Sequence, residues 1–149
     1  MALRLVQFLA LVLIALCLVP AGAHLFELPN KFGLPQDQYF VVQTIYRGWS
    51  LFGFVLFGAL GASLLLTILL RGGGAAFWLA LGAFVLIAAT LAIFFVWTYP
   101  ANQATENWTT APANWAALRR QWEYAHAANA VLTFVALCCL ALSNLLARD

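Results

Sequence analysis

Residues 3–23, LRLVQFLALVLIALCLVPAGA, carry a single charged side chain, Arg4. A helix rises 1.5 Å per residue, so a run of about 20 apolar residues crosses a hydrocarbon layer about 30 Å thick. Three more such runs follow, at about 49–70, 76–98 and 125–147. Lipid offers no partner to a backbone amide, so each run must satisfy its own peptide groups as a helix. The whole chain agrees: of its 149 residues 65% are hydrophobic and 8% charged, where soluble domains hold about 25% charged residues. These features predict an all-α integral membrane four-helix bundle, one transmembrane domain over 1–149, with the lipid bilayer as its main partner.

The segments between the runs orient it. Arg71-Gly72-Gly73-Gly74 is too short a link for anything but antiparallel neighbours, which predicts up-down-up-down topology. The links 24–48 and 99–124 then share one membrane face, and the termini share the other. Lys and Arg divide as Arg4, Arg71 and Arg148 against Lys31, Arg47, Arg119 and Arg120. The first three sit in very short segments next to spans, which favours cytoplasmic termini, as in a bacterial inner-membrane protein. Arg4, the apolar stretch and Pro20-Ala21-Gly22-Ala23 also resemble a secretory signal, but we read the segment as a retained helix whose last turn Pro20 loosens.

Polar residues recur at helical spacing on both sides of the links. Pro29, Asn30 and Gly33 mark a turn. Pro35-Gln36-Asp37 reads as a helix start, with acid near the positive end of the dipole. Tyr39, Gln43, Tyr46 and Ser50 then form a stripe leading into the second span. A second stripe, Arg119, Trp122, His126, Asn129 and Thr133, runs into the fourth from a start near Trp115, where Asn114 is the expected N-cap. Helices 2 and 4 are thus expected to extend beyond the membrane on the non-cytoplasmic side, helix 2 from about residue 36. In the second span Gly53, Gly58, Gly61 and Ala62 would admit a close neighbouring helix.

The two histidines of the chain, His24 and His126, each stand three residues from a glutamate, Glu27 and Glu123. Residues three apart share a helix face. With the predicted topology both pairs fall on the same side, histidine deeper and glutamate one turn outward. Three chemistries follow. The four side chains could hold one transition ion, Fe, Cu or Zn, since Glu-x-x-His pairs bind metals in helix bundles. The two imidazoles could ligate haem axially. With no metal, His126 or His24 could act as a general base with Glu27 or Glu123 beside it, while Gln43, Tyr46, Arg119, Trp122 and Asn129 orient a lipophilic aromatic or quinone-like molecule. The plainer reading is amphipathic residues at helix ends near headgroups, in a non-enzymatic subunit or ligand-binding protein of a larger complex or homo-oligomer. Cys17, Cys138 and Cys139 lie in apolar runs and read as small hydrophobes. A net charge of +2 without a basic run speaks against nucleic acid.

Taken together, His24-Leu25-Phe26-Glu27-Leu28-Pro29-Asn30-Lys31, Tyr39 to Gln43, Ile45-Tyr46-Arg47-Gly48-Trp49 and Trp122-Glu123-Tyr124-Ala125-His126 resemble a family of small four-span membrane proteins that includes the fungal anthrone oxygenases. The resemblance covers about residues 20–146. It implies a four-helix bundle and oxidation of an activated aromatic carbon by O2, with His126 or His24 as base and no obligatory cofactor.

Overall fold

A computed structural model describes residues 1–147; Arg148, one of the charges used for orientation, lies outside the described residues. Among them there is no strand. Helix α1 spans Ala2–Phe32, α2 Gln36–Gln43, α3 Phe52–Leu69, α4 Ala75–Ile93, α5 Tyr99–Ala104 and α6 Trp115–Leu146. Four helical stretches, Ala2–Phe32, Trp49–Leu69, Ala75–Ala104 and Trp115–Leu146, are long and apolar enough to cross a membrane, as an integral membrane protein requires. They form a closed ring of neighbours, with α1 against α3 and α6, and α4 against α3 and α6.

Small side chains set how closely these helices approach. Ala10, Ala59, Ala80, Ala83 and Ala136 are fully buried beside Ile14, Leu66, Ile87 and Leu140. Lipid tails are as apolar as leucine, so contact between helices must come from close packing and hydrogen bonds rather than from escape from water. Ser63 and Thr67 spend their hydroxyls on carbonyls one turn back in α3, and Ser143 of α6 donates across to the Ala76 carbonyl of α4 at 2.7 Å. Of the expected small-residue positions, Gly58 is the close one: a Cβ there would stand 3.5 Å from Leu13 of α1, whereas at Gly53 and Gly61 it would meet nothing within 4 Å.

The helix ends differ from the sequence reading in three places and a fourth lacks its expected cap, all at the end of the bundle that carries the links 33–51 and 105–114. Helix α1 does not stop at residue 23 or turn at Pro29-Asn30; it runs through Pro20 and Pro29 to Phe32. Each proline removes one intrahelical hydrogen bond, a loss that membrane helices tolerate. The second span is not one helix from residue 36. After α2 come a 3-10 turn at Thr44–Tyr46, an extended Arg47, and Gly48 in the left-handed region at φ 86°, which no helix can pass through. Helix α4 does not end at residue 98 but widens into a π-turn over Phe94–Thr98 and continues as α5. Pro100 explains the widening, since it has no N–H for the carbonyl four residues back and its ring presses on that group. Helix α6 starts at Trp115 as expected, yet Asn114 makes no side-chain capping bond.

The link after α5 is held tightly. Glu106, Asn107 and Trp108 all have positive φ, 49°, 55° and 64°, a conformation that costs non-glycine residues of order 1 kcal/mol each. Packing sustains it: the Trp108 backbone N–H donates to Thr105 Oγ1 at 3.1 Å, and its ring is buried against Tyr39 and Trp122. Tyr39, Ala101, Trp108 and Trp122 thus form a second, aromatic core above the apolar one.

The break at Gly48 sets the path between α2 and α3. A Cβ there would meet no atom within 4 Å, so Gly48→Ala is expected to lower stability by about 1 kcal/mol for conformational reasons alone. Gly53→Ala in α3 is expected to be neutral or stabilising. Thermal unfolding of the two variants in detergent checks the contrast.

Candidate functional site

Because α1 continues past its prolines, His24, Glu27 and Lys31 recur at spacings of three and four and lie along one face. On α6 the same spacing lines up Trp122, Glu123, His126 and Asn129. The two helices are neighbours, and these faces meet where α2 folds over them.

Lys31 is the hub. It is 3% exposed, and its ammonium lies 3.1 Å from Glu123 Oε1 and 3.6 Å from Glu27 Oε2 and donates to the Tyr46 hydroxyl at 2.8 Å. The Trp122 and Tyr46 rings cover it at 5.1 and 4.9 Å. Glu123 is fully buried and accepts a second bond from the Tyr39 hydroxyl at 2.9 Å. Gln43 donates to the Tyr39 hydroxyl, and Tyr46 to Glu27 Oε2. A continuous polar chain therefore runs from Glu27, whose side chain keeps 39% of its exposure, to Glu123, which has none.

The phenols feel this environment. Burial pushes Tyr39 well above the usual tyrosine range, and the neighbouring Glu123 carboxylate and its hydrogen bond push the same way. Tyr46 is raised by burial, then by its hydrogen bond to Glu27 and the Glu27 charge. Each is a donor to a carboxylate, and ionisation would set two negative charges side by side.

Directly beside this chain the two imidazoles meet. The His24 and His126 ring centroids are 4.1 Å apart, with the ring planes tilted by 31°. Trp122 lies 4.1 Å from His126 and 5.0 Å from His24, while Tyr46 and Trp49 stand 4.4 and 5.4 Å from His24. Asn102 fixes the Trp122 plane: its Oδ1 accepts from the indole N–H of Trp122 at 2.8 Å and of Trp108 at 3.2 Å. Among the described residues seven buried side-chain N or O atoms lack a hydrogen-bond partner. Four of them belong to this stripe and its facing histidine: His24 Nδ1, Glu123 Oε2, His126 Nε2 and Asn129 Oδ1. Buried polar atoms are nearly always paired, so these four atoms are the free hydrogen-bonding capacity of this stripe.

The expected site residues divide accordingly. His24, Glu27, Glu123, His126, Trp122 and Tyr46 are brought together, and Gln43 supports them through Tyr39. Asn129 lies one turn deeper than His126. Arg119 serves the outer layer, donating to the Leu34 carbonyl at 3.0 Å and stacking on Trp115 at 4.8 Å. Ser50, expected in the inner stripe, is exposed. The four-ligand metal set does not assemble: among the described residues no three His, Cys, Asp or Glu side chains gather as a metal group. Glu27 and Glu123 bind Lys31 and the tyrosines instead of completing a shell around the imidazoles. Nor is there room for haem between the rings. Two axial Fe–N bonds of about 2 Å each already separate the nitrogens by about 4 Å, with the ring centroids further out. Lys31, Tyr39 and Asn102 join the site beyond the expected set; for Lys31 the sequence signal is its i+4 and i+7 relation to Glu27 and His24, which a turn at Pro29-Asn30 would break.

Two tests follow. Lys31→Met is expected to destabilise the protein by about 3–5 kcal/mol, because it strands the Glu123 carboxylate in the interior, and adding Glu123→Leu should restore most of that loss. Thermal melts of the two singles and the double in detergent measure it. The raised phenols make a pH prediction. An acid whose folded value lies above its unfolded value stabilises the fold fully below the unfolded value, about 10, and this contribution is lost as pH rises from there toward the folded value. Tyr39→Phe and Tyr46→Phe should each flatten the alkaline fall in melting temperature. Compared with protein-family models, curated proteins and solved structures, the chain matches none of them, so its site speaks through its own geometry.

Proposed function

We propose that this protein is a membrane oxidoreductase of the oxygenase type, whose His24–His126 pair removes a proton from an activated carbon of a lipophilic aromatic or quinone-like substrate. One observation carries the reading: two imidazoles lie with ring centroids 4.1 Å apart, each with a buried ring nitrogen lacking a partner, within an aromatic wall of Tyr46, Trp49 and Trp122. A neutral imidazole with a free nitrogen is a general base, and aromatic faces suit a flat substrate.

His126 takes the proton on Nε2 and His24 stacks on the imidazolium. The Asn129 side chain orients the substrate oxygen. The delocalised carbanion reacts with O2; overall one CH2 group and one O2 become one C=O and one water, so the carbon is oxidised and dioxygen reduced. Every step here uses the chain's own side chains. The resemblance to the anthrone oxygenases supports the same chemistry. In the bilayer we place the four spans up-down-up-down with both termini in the cytoplasm of a bacterial cell. The site, α2 and the first turns of α6 then lie toward the outer face.

Detergent-purified protein is expected to consume O2 in proportion to an added anthrone, unaffected by chelators, and to carry no stoichiometric metal by elemental analysis. His126→Ala should lower the turnover rate at least about 100-fold, the scale of one lost general base. No turnover above the uncatalysed rate would overturn the enzyme reading and favour a ligand-binding or accessory role.

A further inference from the structure

The seam between the two histidine-bearing helices opens toward lipid as a groove of about 570 Å³, within the range of pockets that hold small organic molecules. Leu18, Gly22 and Phe26 of α1 recur at a spacing of four along one wall, and Ala130 and Phe134 of α6 along the other, with Ala23 between them. The groove's lining is apolar throughout and includes the chain neighbours of two site residues, Ala23 before His24 and Ala130 after Asn129. His24 Nδ1 and Asn129 Oδ1 are each buried without a hydrogen-bond partner.

We infer that this groove seats the hydrocarbon tail of the substrate, which is therefore an uncharged phenolic or quinol head bearing a long alkyl or isoprenoid chain. The inference rests on the reading of the imidazole pair given above and narrows its substrate class. Three features select this occupant. Leu18 and Gly22 on α1, with Ala130 and Phe134 on α6, lie on the bundle side of the histidines, so a head at the imidazoles would send its tail toward the bilayer centre. The cluster at the head level has formal charge −1 from Lys31, Glu27 and Glu123, which repels a phospholipid phosphate and suits a neutral head. Gly22 leaves the groove open: a Cβ there would meet no atom within 4 Å, although glycine in a helix is costly relative to alanine. A tail gains little by leaving lipid for a lipid-facing groove, so the groove serves chiefly to hold the head in register with the base.

Gly22 provides the test. Protein in phosphatidylcholine nanodiscs is irradiated with a decyl hydroquinone whose tail ends in a diazirine, and the labelled peptides are mapped. Labelling is expected within residues 18–26 and 130–134 and to be displaced by unmodified decyl hydroquinone. Gly22→Leu, which fills the groove, should cut it about tenfold, equivalent to about 1.4 kcal/mol, while Gly22→Ala should leave it nearly unchanged. The thermal midpoint of Gly22→Leu shows that the fold survives, and a second filling variant, Ala23→Leu, replaces it if it does not. Label spread evenly over lipid-facing residues such as Phe54 and Trp78, or not displaced by the unmodified quinol, would overturn the inference. Groove labelling without turnover of any quinol or anthrone would leave the tail site standing and remove the oxygenase reading. Turnover with diffuse labelling would do the reverse.

Discussion

A buried ion pair between α1 and α6 governs this molecule. Lys31 and Glu123 are 3% and 0% exposed and lie 3.1 Å apart, inside a protein whose other surroundings are lipid and apolar side chains. Neither charge is tolerable there alone. The pair therefore fixes the register of the two helices, and with it the level at which His24 and His126 meet. It also requires the aromatic cover above it. Tyr39, Tyr46 and Gln43 supply the remaining hydrogen bonds, and Trp108 and Trp122 exclude water.

The cover explains features that look wasteful in isolation. Three consecutive non-glycine residues in left-handed conformation, a π-turn forced by Pro100 and a helix broken at Gly48 all lie on the links of the same end. Each directs an aromatic or amide group onto the site: Trp108 through the first, α5 with Asn102 through the second, Tyr46 and Trp49 through the third. Local strain is held by the contacts it makes possible. The opposite end of the bundle, with its short glycine link, carries no comparable polar cluster among the described residues.

That the two His/Glu pairs could share one side was legible in the sequence, from helices expected to alternate in direction, and the tertiary structure adds the approach of the two rings to 4.1 Å. The roles of the glutamates were not legible. Helical spacing placed Glu27 and Glu123 beside the imidazoles, whereas the tertiary structure gives both to Lys31, Tyr39 and Tyr46. Two prolines masked the continuation of α1 and hence Lys31. Local propensity treats Pro29-Asn30 as a turn, but α1 continues to Phe32 and carries Lys31 to Glu123. Asn102 had no legible signal, because its importance lies in two indoles, one six and the other twenty residues away.

Apolar runs of membrane length and their sparse charges by themselves determined that this chain is helical, with four segments long and apolar enough to cross lipid, because each backbone group in hydrocarbon must be satisfied within its own segment. The same spacing determined which residues share a face. Only the tertiary structure decided where each helix ends, which carboxylate meets which cation, and how closely the two imidazoles approach. Those outcomes depend on contacts between residues up to about a hundred positions apart, His24 with His126 and Lys31 with Glu123, and on the high cost of leaving a buried charge unpaired, neither of which is written in any local stretch.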